Sequence, residues 1–239
     1  MSKRNPRAEA RKGPADPFRR RTLAPFLIGG AAVAAVVAVL GLIVAGQFTS
    51  GETKVPERTV TAPGRILGNP DAPVKIVEYA DFQCPYCKMA EEKVARLVDE
   101  YVTPGKASLE FRNFAFLGDE SVLAAEASLC AEDQGKFWEY HDALFRIQGR
   151  ENSGVYSSAK LVELAQEVGL DVEAFQQCME SEKHRQDVLD EREAAKKAGV
   201  SSTPTFFVND TVVKGNVPYS DFVDAIEAEL AKAQGEAQP

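Results

Sequence analysis

The chain has 239 residues, 44% hydrophobic and 27% charged, which fits one globular domain with appended segments. Its net charge of −8 is unevenly divided: residues 1–21 carry eight Lys or Arg against Glu9 and Asp16, a net of +6, so the remainder carries −14. That division excludes a basic, nucleic-acid-binding body and leaves the arm as the one cationic segment.

The residues after the arm argue against nucleic acid there too. No charged residue occurs from Thr22 to Gly51, and "FLIGGAAVAAVVAVLGLIVAG", Phe26–Gly46, is a run of 21 residues with no polar face. At about 1.5 Å per residue such a helix spans a hydrocarbon core of roughly 30 Å. "RRR" lies directly before the run, and the first charge after it is Glu52. The positive-inside rule then places residues 1–22 in the cytoplasm as a basic arm, 23–46 in the membrane as an anchor, and the body outside the cytoplasm. A cleaved signal peptide is the alternative, since "VAGQ" is a passable cleavage site, although the apolar run is long for one. Both readings export the body. Residues 47–63 are polar and aperiodic, a linker to a domain expected over 64–235.

Within that domain "PVKIVEYADF" predicts a buried strand over Val74–Tyr79. Five residues later comes Cys84, and a helix starting around it carries Met89, Val94, Leu97, Val98 and Tyr101 until Thr103-Pro104-Gly105. "SLEFRNF", residues 108–114, is a second strand and completes a βαβ unit. Residues 119–199 read as helices. Asp119 is expected to cap the first of them, Gly169 to stop another, and Asp171 to cap the next. "TFFVND" and "TVVKG" form a hairpin turning at Asn209-Asp210, and a last amphipathic helix carries Phe222, Ile226 and Leu230. Trp138 and the Phe residues around it read as core.

The chemistry concentrates in "CPYC", residues 84–87. A structural zinc site needs four ligands, usually from two paired motifs. Here there is one C-x-x-C, while Cys130, Cys178, His141 and His184 stand alone on helices. No metal is expected. A static crosslink over so short a loop gains little from unfolded-state entropy. A turning-over redox centre fits better. Cys84 heads a helix, where unpaired N–H groups and the dipole favour a thiolate. Pro85 suits the first turn because it needs no N–H there. Cys87, one turn on, is deeper. Cys84 is therefore expected to exchange with substrate, its sulfur exposed, and Cys87 to resolve.

"VEYADFQCPYC" (77–87), "CAEDQGKFWEYHDALF" (130–145) and "GVSSTPTFFVN" (199–209), with the helical block set into a βαβ…ββα frame, resemble the DsbA-like thiol oxidoreductase branch of the thioredoxin superfamily. The resemblance covers about residues 65–235. It implies an α/β thioredoxin-like fold with a helical insertion over about 119–199, here preceded by one transmembrane helix. It implies that Cys84 and Cys87 are the redox pair, that Thr203-Pro204 is the loop whose cis proline faces them, and that Glu78 is a buried carboxylate serving proton transfer at Cys87. Glu78 also reads as an ordinary strand-edge residue. Tyr86 departs from the family's strongest oxidants, which carry histidine there, so a partial positive charge near Cys84 is missing. "CPYC" also occurs in glutaredoxins, but those are small cytosolic domains without the helical block or the anchor.

Cys130 and Cys178 read either as buried thiols or, in an oxidising compartment and with an even cysteine count, as a pair. The resemblance implies the pair, since similar sequences often join these positions. Such a bridge closes residues 131–177 and adds roughly 4 kcal/mol.

The expected function is extracytoplasmic thiol–disulfide exchange that oxidises cysteines of exported proteins. Reoxidation falls to a membrane quinone-linked protein, no organic cofactor is required, and nucleic acid is not a partner. A membrane-anchored reductase, for example in cytochrome c maturation, and a non-catalytic thioredoxin-fold binding module are the rivals.

Overall fold

The computed structural model describes residue 62 and residues 64–236. The basic arm, the apolar run and nearly all of the linker lie outside them. Among the described residues no helix is long and apolar enough to cross a membrane.

Five strands form one sheet in the order β1-β3-β2-β4-β5, with β1 Ile66–Leu67, β2 Val74–Ala80, β3 Ala107–Asn113, β4 Thr205–Val208 and β5 Thr211–Lys214. β2 pairs with β3 in parallel and with β4 antiparallel, so it lies inside the sheet. Its β-branched run Val74, Ile76 and Val77 suits that place. Between β2 and β3 runs α1, Pro85–Leu97, which passes into a wider π-type turn over Val98–Val102 and stops at Gly105 with φ of 78°. α1 buries Cys87, Ala90, Glu91, Val94 and Leu97, one stripe of the helix. β4 and β5 form the expected hairpin. Asn209 takes a φ of 47° in its turn, a conformation that asparagine tolerates.

The helical insertion runs α2 Asp119–Glu132, α3 Phe137–Ile147, α4 Ser158–Glu167, α5 Val172–Glu180 and α6 Arg185–Lys197. α2 is buried on nearly every side from Ser121 to Ala131 and packs against all four of the others. Its alanines and serines allow that close approach. Asp171 caps α5 by accepting from the Ala174 N–H at 3.1 Å, and Gly169 ends the turn after α4 with φ of 74°.

Asp119 is not the cap of α2. Gly118 is, with φ of 130°, and Asp119 is the first helical residue. A Cβ on Gly118 would lie 2.4 Å from Asn152 Oδ1, so the close approach of the 152 loop requires glycine there. α7, Tyr219–Glu236, covers the sheet through Phe222 and Ile226. The Phe222 ring meets Phe206 of β4 edge-on at 4.8 Å.

The core is largely aromatic. Trp138 is fully buried, as expected, and Phe82, Phe111, Phe137 and Phe145 surround the equally buried His141. β1 was not expected. Two residues give no period to read, and they are strand because they pair with Glu110 and Leu109 of β3.

Candidate redox site

β2 ends at Ala80, and the chain turns through Asp81-Phe82-Gln83 into α1. Asp81 builds that turn. Its buried carboxylate accepts from the Gln83 N–H at 2.8 Å, from Phe116 and Leu117 N–H at 2.9 and 3.1 Å, and from Ser121 Oγ at 2.7 Å. Burial raises its pKa, and these four donors oppose that. The Asp81 carbonyl accepts from the Cys84 N–H at 2.9 Å.

Cys84 is the N-cap of α1 in an extended conformation, and Pro85 opens the helix. The Cys84 carbonyl accepts from the N–H of Cys87 at 3.1 Å and of Lys88 at 3.3 Å. Its thiol lies 3.4 Å from the Thr203 carbonyl, to which it donates. The Thr203–Pro204 peptide is cis, and the Thr203 carbonyl faces the cysteine. It also covers it. Cys84 is 5% exposed and Cys87 0%, so the expectation of an openly exposed Cys84 sulfur fails. The side chains over the surface here are Tyr86 and Met89, both exposed.

Both cysteines are buried thiols, and they differ in acidity. The Cys84 thiol is lowered to about 6, first by a hydrogen bond from Cys87. Burial opposes the shift, and the backbone N–H groups of Cys87 and Tyr86 add to it. Cys87 is pushed well above the ordinary thiol range, first by burial and then by its bond to Cys84 and by the Glu78 carboxylate. When Cys84 ionises, Cys87 keeps its proton and donates it to the Cys84 sulfur. Tyr86 supplies no positive charge, and the enhanced acidity of Cys84 arises without one.

Glu78 is fully buried on β2, in register with Phe111 on one side and Phe206 on the other. It is not a strand-edge residue. Cys130 and Cys178 are joined by a disulfide with Cα atoms 6.0 Å apart, tying α2 to α5. Neither is therefore a free metal ligand. His141 has Nδ1 2.8 Å from Asp142 Oδ1 and Nε2 3.9 Å from Glu91 Oε1, and His184 lies 2.8 Å from both Asp133 and Asp187.

The sequence reading missed the residues that hold the turn. Gln83 donates to Ser121 Oγ at 3.0 Å and accepts from the Asn152 N–H at 2.6 Å. Gln148 and Tyr156, from the loop after α3, bond to the turn's carbonyls. Only the Asp-x-Gln spacing, which permits a local side-chain turn at Asp81, was readable beforehand.

Residues 60–228 match the family model described as Thioredoxin. The chain is 32% identical over 203 residues to the probable disulfide bond formation protein D of Bacillus anthracis, a match spanning 83% of this chain and 93% of that protein. It is 31% identical over 169 residues to the disulfide bond formation protein D of Bacillus subtilis, spanning 69% of this chain and 76% of that one. The crystal structure of oxidised BdbD from Bacillus subtilis is similar with a TM-score of 0.66 at 27% identity, covering 74% of this chain and 100% of that chain.

Proposed function

The chain belongs to the thioredoxin superfamily, in its DsbA-like branch of thiol–disulfide oxidoreductases, and on that premise we propose that it oxidises cysteines of exported proteins by passing on a Cys84–Cys87 disulfide. The observation that carries this reading is the unequal acidity of the pair. A sulfur with a pKa of about 6 is a good leaving group at neutral pH, and its neighbour retains a proton.

A substrate thiolate attacks Cys84 Sγ, the Cys84–Cys87 bond breaks, and a mixed disulfide forms. Cys87 leaves with the electron pair and takes a proton. Glu78, buried and electrostatically coupled to Cys87, is the group placed to deliver it. A second substrate thiolate then attacks the substrate sulfur and expels the Cys84 thiolate. Two electrons have moved from the substrate dithiol to the cysteine pair. Thr203 and Pro204 line the approach and keep Cys84 directed at an incoming sulfur. The dithiol form is the product of this turnover. A membrane quinone-linked protein reoxidises it.

The place of action follows from charge. The +6 arm and the uncharged run put residues 1–22 in the cytoplasm, anchor the chain through 23–46, and hold the domain outside by its linker.

The reduction potential of Cys84–Cys87 against glutathione tests the direction of electron flow. Donation requires a value of about −200 mV or higher, the range of disulfide-forming proteins. A value near −270 mV or lower, the range of thioredoxin, would make it a reductase.

A further inference from the structure

Gln148 is the C-cap of α3, with non-helical backbone angles, φ −50° and ψ 125°. Its side-chain amide carries two N–H bonds. One donates to the Phe82 carbonyl at 2.6 Å and the other to the Cys84 carbonyl at 3.0 Å. A primary amide has two donors, so both bonds are made at once. Tyr156, eight residues on, places its hydroxyl 2.9 Å from the Phe82 carbonyl and 3.0 Å from that of Leu144, with one proton to share between them. The Phe82 carbonyl thus has two holders from the insertion. Among those described bonds, the Cys84 carbonyl is reached by Gln148.

That oxygen is not a passive acceptor. It already takes the Cys87 and Lys88 N–H groups, so it sets the orientation of the first turn of α1 relative to Cys84. A peptide plane fixed from three directions cannot rotate about the Cys84 backbone. The Cys84 sulfur is then aimed at the N–H groups of the first turn rather than away from them.

We propose that Gln148 is a positioning residue for disulfide exchange. By holding the Cys84 carbonyl, it keeps the Cys84 sulfur where the first-turn N–H groups stabilise its thiolate. The helical insertion thereby tunes a cysteine that belongs to the thioredoxin frame. A C-cap that merely finishes α3 would need no contact with Cys84, and the two roles separate experimentally.

The inference rests on Cys84 being the acidic thiol, which the unmodified protein reports in the same titration. Thiolate absorbance and the equilibrium with glutathione are measured on folded, full-length Gln148→Met, Gln148→Glu and Tyr156→Phe. Met has the bulk of Gln without the donors. Loss of the Gln148 bond is expected to raise the Cys84 midpoint by roughly half a unit to one unit. One unit, from about 6 to about 7, favours the disulfide about fivefold at pH 7. Gln148→Glu raises the midpoint further, because a carboxylate then faces the Cys84 carbonyl. Tyr156→Phe lowers the melting temperature and moves neither quantity.

A folded Gln148→Met protein with an unchanged midpoint and equilibrium overturns the proposal while leaving an acidic Cys84 in place. An unmodified protein without an acidic Cys84 overturns the earlier assignment instead. Should the Gln148 variants not fold, the side-chain amide protons of Gln148 in the unmodified dithiol protein decide the matter. Slow exchange with solvent is expected, and exchange at the rate of a free glutamine amide contradicts the tie.

Discussion

Cys84 and Cys130 are the same residue at opposite ends of a helix. Cys84 precedes α1, where the Tyr86 and Cys87 N–H groups face its sulfur, and it is held at about 6. Cys130 and its partner Cys178 each sit two residues before the last residue of their helices, Glu132 and Glu180, at the negative ends. Cys178 Sγ also lies 3.7 Å from the Asp133 carboxylate, which disfavours a thiolate there. A sulfur without thiolate character neither attacks nor leaves readily. The loops differ in the same sense. The Cys130–Cys178 bridge has a sequence separation of 48, so opening it releases much chain entropy, whereas the Cys84–Cys87 pair closes a single turn. One pair is placed to open and the other to stay shut, and residue type alone does not distinguish them.

The contrast breaks most completely at Cys84 itself. Cys84→Ala should abolish disulfide transfer and trap no partner. Cys87→Ala should retain attack through Cys84 and accumulate mixed disulfides as reducible high-mass bands on gels. Equal trapping by the two variants would show that position along α1 does not assign the roles.

Next in size is the proton on Cys87. Glu78→Gln keeps the shape of a side chain enclosed by β3 and β4 but removes its acid. If Glu78 delivers the proton, release of Cys87 from the disulfide should slow by on the order of 10²-fold in stopped-flow exchange. Initial docking of substrate should be unaffected. An unchanged rate would return Glu78 to a purely structural role.

The second pair should affect stability and not chemistry. Replacing both Cys130 and Cys178 by Ala removes about 4 kcal/mol, a fall of about 10 °C in melting temperature for a domain of this size. Transfer at room temperature should be retained. A variant that melts unchanged but loses transfer would reverse the division between the two pairs.

Much of this was legible because it is local. "CPYC" at the head of a helical stripe, the Val74–Tyr79 strand before it and the Asn209 turn all depend on neighbouring residues. Hence the βαβ unit, the helical block and the final hairpin could be read directly. β1 could not, because Ile66 and Leu67 are a strand only by pairing with β3. The cover over Cys84 comes from Thr203, 119 residues away, and the ties from Gln148 come across 64 and 66 residues. No periodicity reports such contacts. The Asp119 expectation failed for a related reason: Asn152, distant in sequence, crowds residue 118 so closely that only glycine fits. Glu78 is a further instance, since its place between β3 and β4 follows from strand order rather than from its neighbours in sequence.

Acidity is the central claim, and it has a consequence for folding. Cys84 has a folded pKa below that of an unfolded thiol. It therefore stabilises the dithiol form above the ordinary thiol range, and that contribution is lost as the pH falls through about 6. The most direct test is a thiolate absorbance titration of the reduced, folded protein, with the single-cysteine variants assigning each step. The structure predicts one thiolate appearing with a midpoint near 6, belonging to Cys84, and a second only in strongly alkaline solution, belonging to Cys87. Two thiols titrating together near the ordinary value of about 8.5 would contradict it.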